Sequence, residues 1–340
     1  MAWDPSNYFY FFKQLKNIVF AFVAWFMVYL VPLQFFQKNK NVLIVFIGIV
    51  LLQLLVFVPG IWLTLNGARW WINVGFSTLQ PVEFFKLWYV LFLATWLIRK
   101  RGMINSKQFF MNFIILNLLL FFVFLLIPDL WSLLIMWLVS LVMCWYSWAK
   151  IKYVLFIVLG GILSVIIFGS IASMTSQRFQ YIQRRFTYFL SSEVDPQNRD
   201  IGWQNQQALI AVWWGWFFWK WYGKWLQKFG YIPEAQSDFI FAAYSEEMWM
   251  VGNIVLLWLY SYLGRYFISK LQHLRSDYNK LIWVWIISLI LVQAFVNIWV
   301  NLKIMPNTWL TLPFVSYWWT AIMVNFIEIV LLYKILKEKS

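Results

Sequence analysis

Long runs of apolar residues, separated by short polar segments, dominate the chain. The runs are continuous rather than alternating, and a helix needs about 20 apolar residues to cross a bilayer core. Strands of a membrane barrel would alternate apolar and polar positions, so the pattern favours helices. The predicted fold is an all-α polytopic membrane protein with about nine spans. We place these spans at residues 17–36, 42–63, 82–98, 108–127, 129–148, 152–172, 239–263, 282–301 and 313–335.

One long segment, 173–238, does not fit the spanning pattern. We predict a single membrane domain over 1–340, in which 173–238 forms one long extracytoplasmic loop. A loop of this length in a compact architecture is typically functional or disordered, and its aromatic content argues against disorder. Its charged residues are consistent with a solvated surface or with a basic surface for an anionic, lipid-linked substrate.

The low charge content and the distribution of basic residues both support membrane spans. Hydrophobic residues make up 63% of the chain and charged residues only 12%, against about 25% charged in soluble domains. The net charge of +14 is not spread evenly, because 15 of the 27 basic residues fall in segments that alternating spans would put on one side. Those segments are 37–41, 99–107, 149–152, 264–281 and 334–340.

Basic residues concentrate on the cytoplasmic side of membrane proteins. The distribution therefore predicts a multi-pass protein of the bacterial inner membrane with a cytoplasmic C-terminus. It accounts for the basic excess by topology and by anionic membrane lipid. Nucleic acid is not a predicted partner.

Sequence motifs narrow the function. They are GARWWI at 67–72, LQPVEFFK at 79–86, IPDL at 127–130, GYIPEAQSDFIFA at 230–242 and LPFVSY at 312–317, with paired acids at 246–247. In this order and at these spacings they resemble the SEDS family of peptidoglycan glycan-strand polymerases, the FtsW and RodA type. The resemblance covers nearly the whole chain and is slightly closer to the division-type FtsW branch. Val82 departs from the family pattern, which has serine there.

Two further departures from the family pattern stand out. Family members have ten spans, and the resemblance here begins after the first, so we expect the first helix to be missing from this sequence. Tryptophan also stands where the family has glycine. We interpret these tryptophans as UGA codons that the source organism reads as glycine, since the chain has 26 Trp and only 14 Gly. The positions are Trp131, Trp213, Trp216, Trp219, Trp221, Trp249, Trp299, Trp309, Trp318 and Trp319.

Asp238 is the candidate catalytic residue. It ends the long outer segment and precedes the apolar run at 239–243, which places a carboxylate at the outer membrane boundary. The resemblance implies that Asp238 deprotonates the acceptor hydroxyl of lipid II. That hydroxyl would attack the lipid-linked glycan strand and release undecaprenyl pyrophosphate with inversion. One carboxylate would suffice because the leaving group is already activated, unlike in glycoside hydrolysis.

The resemblance also implies substrate-binding residues: Arg69, Glu83, Lys86, Asp129, Glu247 and Ser316. For Glu83 and Lys86, three residues apart on one helix face, a structural ion pair is an equal alternative. Asp129 could instead pair with Arg69. We expect Glu247 rather than Glu246 to face the protein interior, and we expect Glu328 to pair with Lys334.

Cofactor and partners follow from the same resemblance. The sequence has no metal-ligand cluster of its own and identifies no cofactor with certainty, and a divalent cation (Mg²⁺ or Mn²⁺) could offset charge on the leaving group. A class B penicillin-binding protein transpeptidase is the expected partner. The alternatives are a lipid II flippase or transporter and a non-catalytic scaffold of a cell-wall synthase complex. A transporter would use ionisable residues near the bilayer midplane, whereas most acids here cluster at the outer face.

Overall fold

The computed structural model describes most of the chain. The described residues are 9–58, 60, 62–65, 68–75, 78–126, 129–147, 154–155, 157–159, 189, 201–217, 237–308 and 310–338. Helices α1 to α10 are Phe9–Leu30, Leu33–Gln37, Asn39–Leu54, Pro81–Arg99, Lys107–Leu126, Leu130–Tyr146, Ile201–Phe217, Ile240–Leu271, Asp277–Asn301 and Trp319–Lys337.

Several of these helices are long and apolar enough to cross a membrane. Within the described residues, five segments qualify: Asn39–Phe57, Pro81–Arg99, Lys107–Phe124, Asp277–Asn301 and Trp319–Lys337. Shorter apolar helices run over Gln14–Leu30 and Trp131–Tyr146. The prediction of a multi-pass helical membrane protein is confirmed. The predicted span at 152–172 and most of the loop at 173–238 lie outside the described residues, so the predicted number of spans stays a prediction.

The first and the last predicted spans have different ends in the structure. The first, 17–36, begins earlier, at Phe9, and α1 ends at Leu30 because Pro32 follows in an extended conformation. Proline has no N–H to continue a helix. The last, 313–335, begins only at Trp319, because a turn held by the bond from Leu312 N to Ser316 Oγ comes first.

The structure contains a small antiparallel sheet that the all-α prediction did not include. Its strands are β1 (Trp62–Leu65), β2 (Ala68–Asn73) and β3 (Thr78–Leu79), in the order β1-β2-β3. The second predicted span, 42–63, therefore ends at Phe57. Asn-Gly between two apolar runs is a strong hairpin signal, and this signal stands at 66–67 in the sequence.

The chain divides into two compact units. We call them the Asp238 unit (Met1–Val19, Gly169–Phe267 and Ile290–Ile322) and the Lys86 unit (Phe20–Phe168, Ile268–Leu289 and Met323–Ser340). The single membrane domain over 1–340 stays a prediction.

Helix α4 forms the core of the Lys86 unit. Phe92 of α4 stacks on Phe46 of α3 with ring centroids 4.7 Å apart, and the hydroxyl of Tyr89 lies 2.8 Å from Ser140 Oγ on α6. By contrast, α5 leaves one apolar face open, as a lipid-facing helix does. The exposed residues of that face are Met111, Ile115, Leu118, Leu119 and Phe122.

Candidate active site

Asp238 lies in a short turn directly before α8. It is 8% exposed, and Phe239 and Phe241, which follow it, are almost fully buried. The carboxylate therefore stands where a polar turn meets an apolar helix, as the sequence predicts.

Two amides of α9 hold the backbone of this turn. The Nδ2 groups of Asn297 and Asn301 donate to the carbonyl oxygen of Asp238 at 2.9 and 3.1 Å. The Oδ1 of Asn301 also accepts from the N–H of Ala242 at 3.1 Å. That N–H belongs to the first turn of α8, where backbone donors have no partner within the helix. Asn301 thus caps α8 from a neighbouring helix. It also holds the backbone of Asp238 next to the start of α8.

Ser316 supports the same turn from another side. Its Oγ donates to the carbonyl oxygen of Ser237 at 2.7 Å and accepts from the N–H of Leu312 at 2.7 Å. The residue predicted to bind substrate therefore positions the neighbour of Asp238, and its substrate contact stays a prediction.

The amides of α9 are functional candidates that sequence reasoning missed. Gln293, Asn297 and Asn301 recur every four residues along one face of an apolar helix, and all three are buried. Gln293 donates to Thr311 Oγ1 at 2.8 Å. Polar residues at helical spacing inside a membrane span are costly and usually functional, so the signal was present in the sequence.

The paired acids of α8 are oriented opposite to our expectation. Glu246 is buried at 3% exposure, whereas Glu247 is half-buried. The expectation that Glu247 faces the interior is wrong, because the helix turns Glu246 inward beside the buried Ser245. A substrate-binding role for Glu247 stays a prediction.

A break in α8 follows these acids. Trp249 has φ 56° and ψ −174°, a backbone conformation that is essentially restricted to glycine. Trp249 is one of the tryptophans that stand at family glycine positions. The backbone at this position therefore has the geometry of a glycine site.

The Lys86 unit contains a second polar site, which we call the charged cluster: Glu83, Lys86, Asp129 and Glu328. The Nζ of Lys86 lies 2.8 Å from Glu83 Oε1, and the two residues are 1% and 7% exposed. Glu83 stands in the first turn of α4, where the helix dipole favours a negative charge. The predicted pair of neighbouring side chains is confirmed, and the pair is buried.

Asp129 and Glu328 join this pair from two other helices. Asp129 caps α6 by accepting from the N–H of Ser132 at 3.1 Å. Asp129 and Glu328 are both buried, and both lie within electrostatic range of Lys86 and Glu83. The charged cluster therefore contains one ammonium, which contacts Glu83, and three buried carboxyl groups.

Glu328 does not pair with Lys334, contrary to our expectation. Lys334 donates to the carbonyl oxygen of Val31 and lies 5.7 Å from the centroid of the Tyr29 ring. Glu328 is 1% exposed, and its two carboxyl oxygens have no hydrogen-bond partner in the part of the chain that the structure describes. It points into the unit rather than toward the end of the span, because the face of α10 that carries it packs inside.

A substrate contact of Arg69 and the binding of a divalent cation both stay predictions. Arg69 lies on β2, but its side chain is outside the described residues, as is any pairing with Asp129. Among the residues that the structure describes, no group of three His, Cys, Asp or Glu side chains could hold a metal. A divalent cation therefore stays a prediction, and no chemical step is assigned to one.

A comparison with protein families decides the classification. The family model described as "Cell cycle protein", which covers FtsW, RodA and SpoVE, matches residues 3–340. The chain belongs to this family.

Relatives within the FtsW/RodA/SpoVE family match most of the chain. The chain is 36% identical to stage V sporulation protein E of Bacillus subtilis over 269 residues, covering 78% of this chain and 70% of that protein. It is 30% identical to the probable peptidoglycan glycosyltransferase FtsW of Taylorella equigenitalis over 337 residues, covering 98% of this chain and 89% of that protein.

Solved structures share the fold. A chain from a structure titled "Structural coordination of polymerization and crosslinking by a peptidoglycan synthase complex" matches with a TM-score of 0.78 at 21% identity, over 99% of this chain and 91% of that one. The rod shape determining protein RodA of Thermus thermophilus matches with a TM-score of 0.68 at 21% identity, over 99% and 90%.

Proposed function

We propose that this chain is a peptidoglycan glycosyltransferase that polymerises lipid II into glycan strands, in division or elongation. Relatives named as probable peptidoglycan glycosyltransferases support this, since they are about 30% identical over most of the chain. The observation that carries the proposal is the placement of Asp238. Its backbone is fixed by Asn297, Asn301 and the Ser316 contact, at the junction between a turn and an apolar helix.

The proposed reaction follows from that placement. The carboxylate of Asp238 takes the proton of an acceptor sugar hydroxyl, and the hydroxyl oxygen forms a bond to the anomeric carbon of the lipid-linked strand. The bond from that carbon to the pyrophosphate oxygen breaks, and undecaprenyl pyrophosphate leaves with the bonding electrons. A base must lie within hydrogen-bonding reach of the proton, so rigid positioning of the turn contributes directly to the rate.

The charged cluster has a different proposed role. Stabilising charge on the pyrophosphate is one candidate role for Lys86 and for Arg69. For the Glu83–Lys86 pair we favour a structural role, because a buried lysine that is held by a neighbouring acid is less available to a ligand.

The setting of the reaction is also part of the proposal. We place the chain in the bacterial inner membrane with its C-terminus in the cytoplasm and the Asp238 turn outside. We expect it to work with a class B penicillin-binding protein, because one structure with the same fold is titled as a complex that couples polymerization and crosslinking. External labelling of an engineered cysteine at Arg101 in intact cells would contradict this topology.

The test is strand synthesis by Asp238→Asn. Asparagine keeps the size of the side chain and leaves the backbone carbonyl for Asn297 and Asn301, but it is not a base. We expect polymerisation of labelled lipid II, followed by gel analysis of glycan strands, to fall by about 100-fold or more. Asp238→Glu, which retains a carboxylate at a shifted position, serves as the matched control and should retain more activity than Asp238→Asn.

Near-normal strand synthesis by Asp238→Asn would contradict the assignment of the base. If changes at Asp238, Glu83 and Glu247 all left synthesis normal, the flippase or scaffold alternative would account for the protein better. In that case, transport of labelled lipid II across vesicles would separate a flippase from a scaffold.

A further inference from the structure

A cavity of about 420 Å³ lies among helix ends of the Lys86 unit. Residues from four of the five segments that we predict to be cytoplasmic line it, including Gln37, Arg99, Arg275 and Glu338. Its volume is within the range of sites that bind small molecules. The cavity is separate from the proposed chemistry, because none of the residues assigned to the polymerase reaction lines it.

Two arginines give this cavity its charge. Arg99 ends α4 and Arg275 precedes α9. Neither has a carboxylate within ion-pair distance among the described residues, whereas the nearby Arg101 is paired with Asp277. Two arginines that have no ion-pair partner among the described residues and that line one cavity from two elements form an arrangement suited to a phosphate group.

The one acid of the cavity does not neutralise the arginines. The carboxylate of Glu338 accepts from Gln37 Nε2 at 3.2 Å and from Asn279 Nδ2 at 2.6 Å. These neutral amides satisfy the carboxylate oxygens of Glu338 and hold the carboxylate beside Gln37 and Asn279. Among the described residues of the lining, the charged side chains are therefore two arginines and one amide-bound carboxylate.

The rest of the lining indicates what carries the phosphate. Ile98, Leu274 and Ile335 contribute apolar surface beside the arginines. The spans of α4, α9 and α10 begin or end at Arg99, Asp277 and Lys337, so the cavity lies at a membrane surface. A ligand with a phosphate and an adjoining apolar part matches both features.

We propose that this cavity binds the phosphate of an anionic phospholipid headgroup, with Arg99 and Arg275 as the phosphate ligands. Basic pockets between membrane helices bind such headgroups in other proteins. The apolar residues contact the start of the acyl chains. A soluble phosphate compound shares the same phosphate chemistry and is distinguished by the experiment.

Native mass spectrometry of the detergent-solubilised full chain tests the proposal. The probes are phosphatidylglycerol, zwitterionic phosphatidylcholine and inorganic phosphate, each titrated separately. The site variant is Arg99→Gln with Arg275→Gln. The control variant is Lys107→Gln with Arg265→Gln, which removes two exposed basic residues that do not line the cavity.

We expect one phosphatidylglycerol to bind in preference to phosphatidylcholine. The site variant should lose about 30-fold in affinity, since each basic residue at an anionic surface contributes about fivefold, while the control variant keeps its affinity. Equal binding by the wild type and the site variant would overturn the proposal. Saturation by inorganic phosphate, without a preference for the lipid, would overturn the lipid assignment.

A single Arg275→Lys variant guards against misfolding of the double variant. It keeps the positive charge and removes the two-pronged donor geometry of arginine. We expect an affinity between those of the wild type and the double variant. An affinity equal to that of the double variant, with unchanged thermal stability, would contradict a contribution from charge.

Discussion

Buried polar side chains serve different ends in the two units. In the Asp238 unit they are mostly amides and hydroxyls that bond to backbone atoms, such as Asn301 to Asp238 and Ser316 to Ser237. In the Lys86 unit, the charged cluster sets one ammonium against three carboxyl groups. Neutral bonds to the backbone position an acid without neutralising it. An ionic cluster makes the fold depend on its single cation.

Removing that cation should have the largest effect on stability. Lys86→Met leaves three buried carboxyl groups without a positive charge, and breaking a buried ion pair costs about 3–5 kcal/mol. We expect a marked loss of folded protein by size-exclusion chromatography and a lower thermal midpoint.

Lys280→Met is the matched control for that change. Lys280 lies 3.9 Å from Asp277 at the same i,i+3 spacing but is partly exposed, and such pairs contribute about 0–1 kcal/mol. Equal losses for the two variants would mean that burial of Lys86 does not set its importance.

The three acids of the charged cluster should not be equivalent. Glu83→Gln removes the partner at 2.8 Å from Lys86 and should lower stability by about 1–3 kcal/mol. Glu328→Gln removes a buried carboxyl group that bonds to nothing in the described part of the chain, so it should be neutral or stabilising. Thermal midpoints measured in detergent compare the two variants. A larger drop in midpoint for Glu328→Gln than for Glu83→Gln would contradict the assigned pairing.

On the side of the Asp238 unit, Asn301 should be the most sensitive amide. Asn301→Ala removes bonds to Asp238 and Ala242 and should cost about 1–3 kcal/mol. It should also slow strand synthesis by about tenfold, because a displaced base loses its reach.

Gln293→Ala is the control on the same helix. Gln293 is equally buried and bonds to Thr311 rather than to the Asp238 turn. It should lower stability with little change in the rate per folded molecule. A rate loss equal to that of Asn301→Ala would show that the whole amide face acts together rather than through the turn.

Trp249→Gly should increase stability, whereas a glycine substitution inside a helix ordinarily decreases it. The backbone at 249 has φ 56° and ψ −174°, which costs a non-glycine residue about 1–3 kcal/mol. Glycine should therefore raise the thermal midpoint. Trp258→Gly, in the same helix and with its ring stacked on Tyr262, should lower the free energy of unfolding by about 1 kcal/mol or more.

The same position sharpens the decoding hypothesis. If UGA codons are read as glycine in the source organism, protein from its own cells should carry glycine at 249. The mass of the peptide containing 249 tests this, and a tryptophan-containing peptide would contradict it.

The sequence was informative where the physical signal is local or repeated. Continuous apolar runs predicted the helices, and the spacing of Glu83 and Lys86 predicted a pair on one face. The sheet was missed because hydropathy alone does not separate a strand from the end of a helix. The Asn-Gly at 66–67 was the needed turn signal.

The site was predicted only in part, because orientation depends on packing. Asp238 follows from its position between a polar segment and an apolar run. The roles of Asn297 and Asn301 depend on which face of α9 meets the Asp238 turn, although their spacing was visible. Glu246 and Glu328 were misplaced for the same reason: one sequence does not state which face of a helix packs inside.

The central claim is that Asp238 serves chemistry whereas the Glu83–Lys86 pair serves the fold. The most direct measurement takes the thermal midpoint and the initial rate of strand synthesis per folded molecule for Asp238→Asn and Glu83→Gln, in the same membrane preparation. We predict that Asp238→Asn loses about 100-fold in rate with an unchanged midpoint, and that Glu83→Gln mainly lowers the midpoint. A lowered midpoint with a near-normal rate for Asp238→Asn would contradict the account.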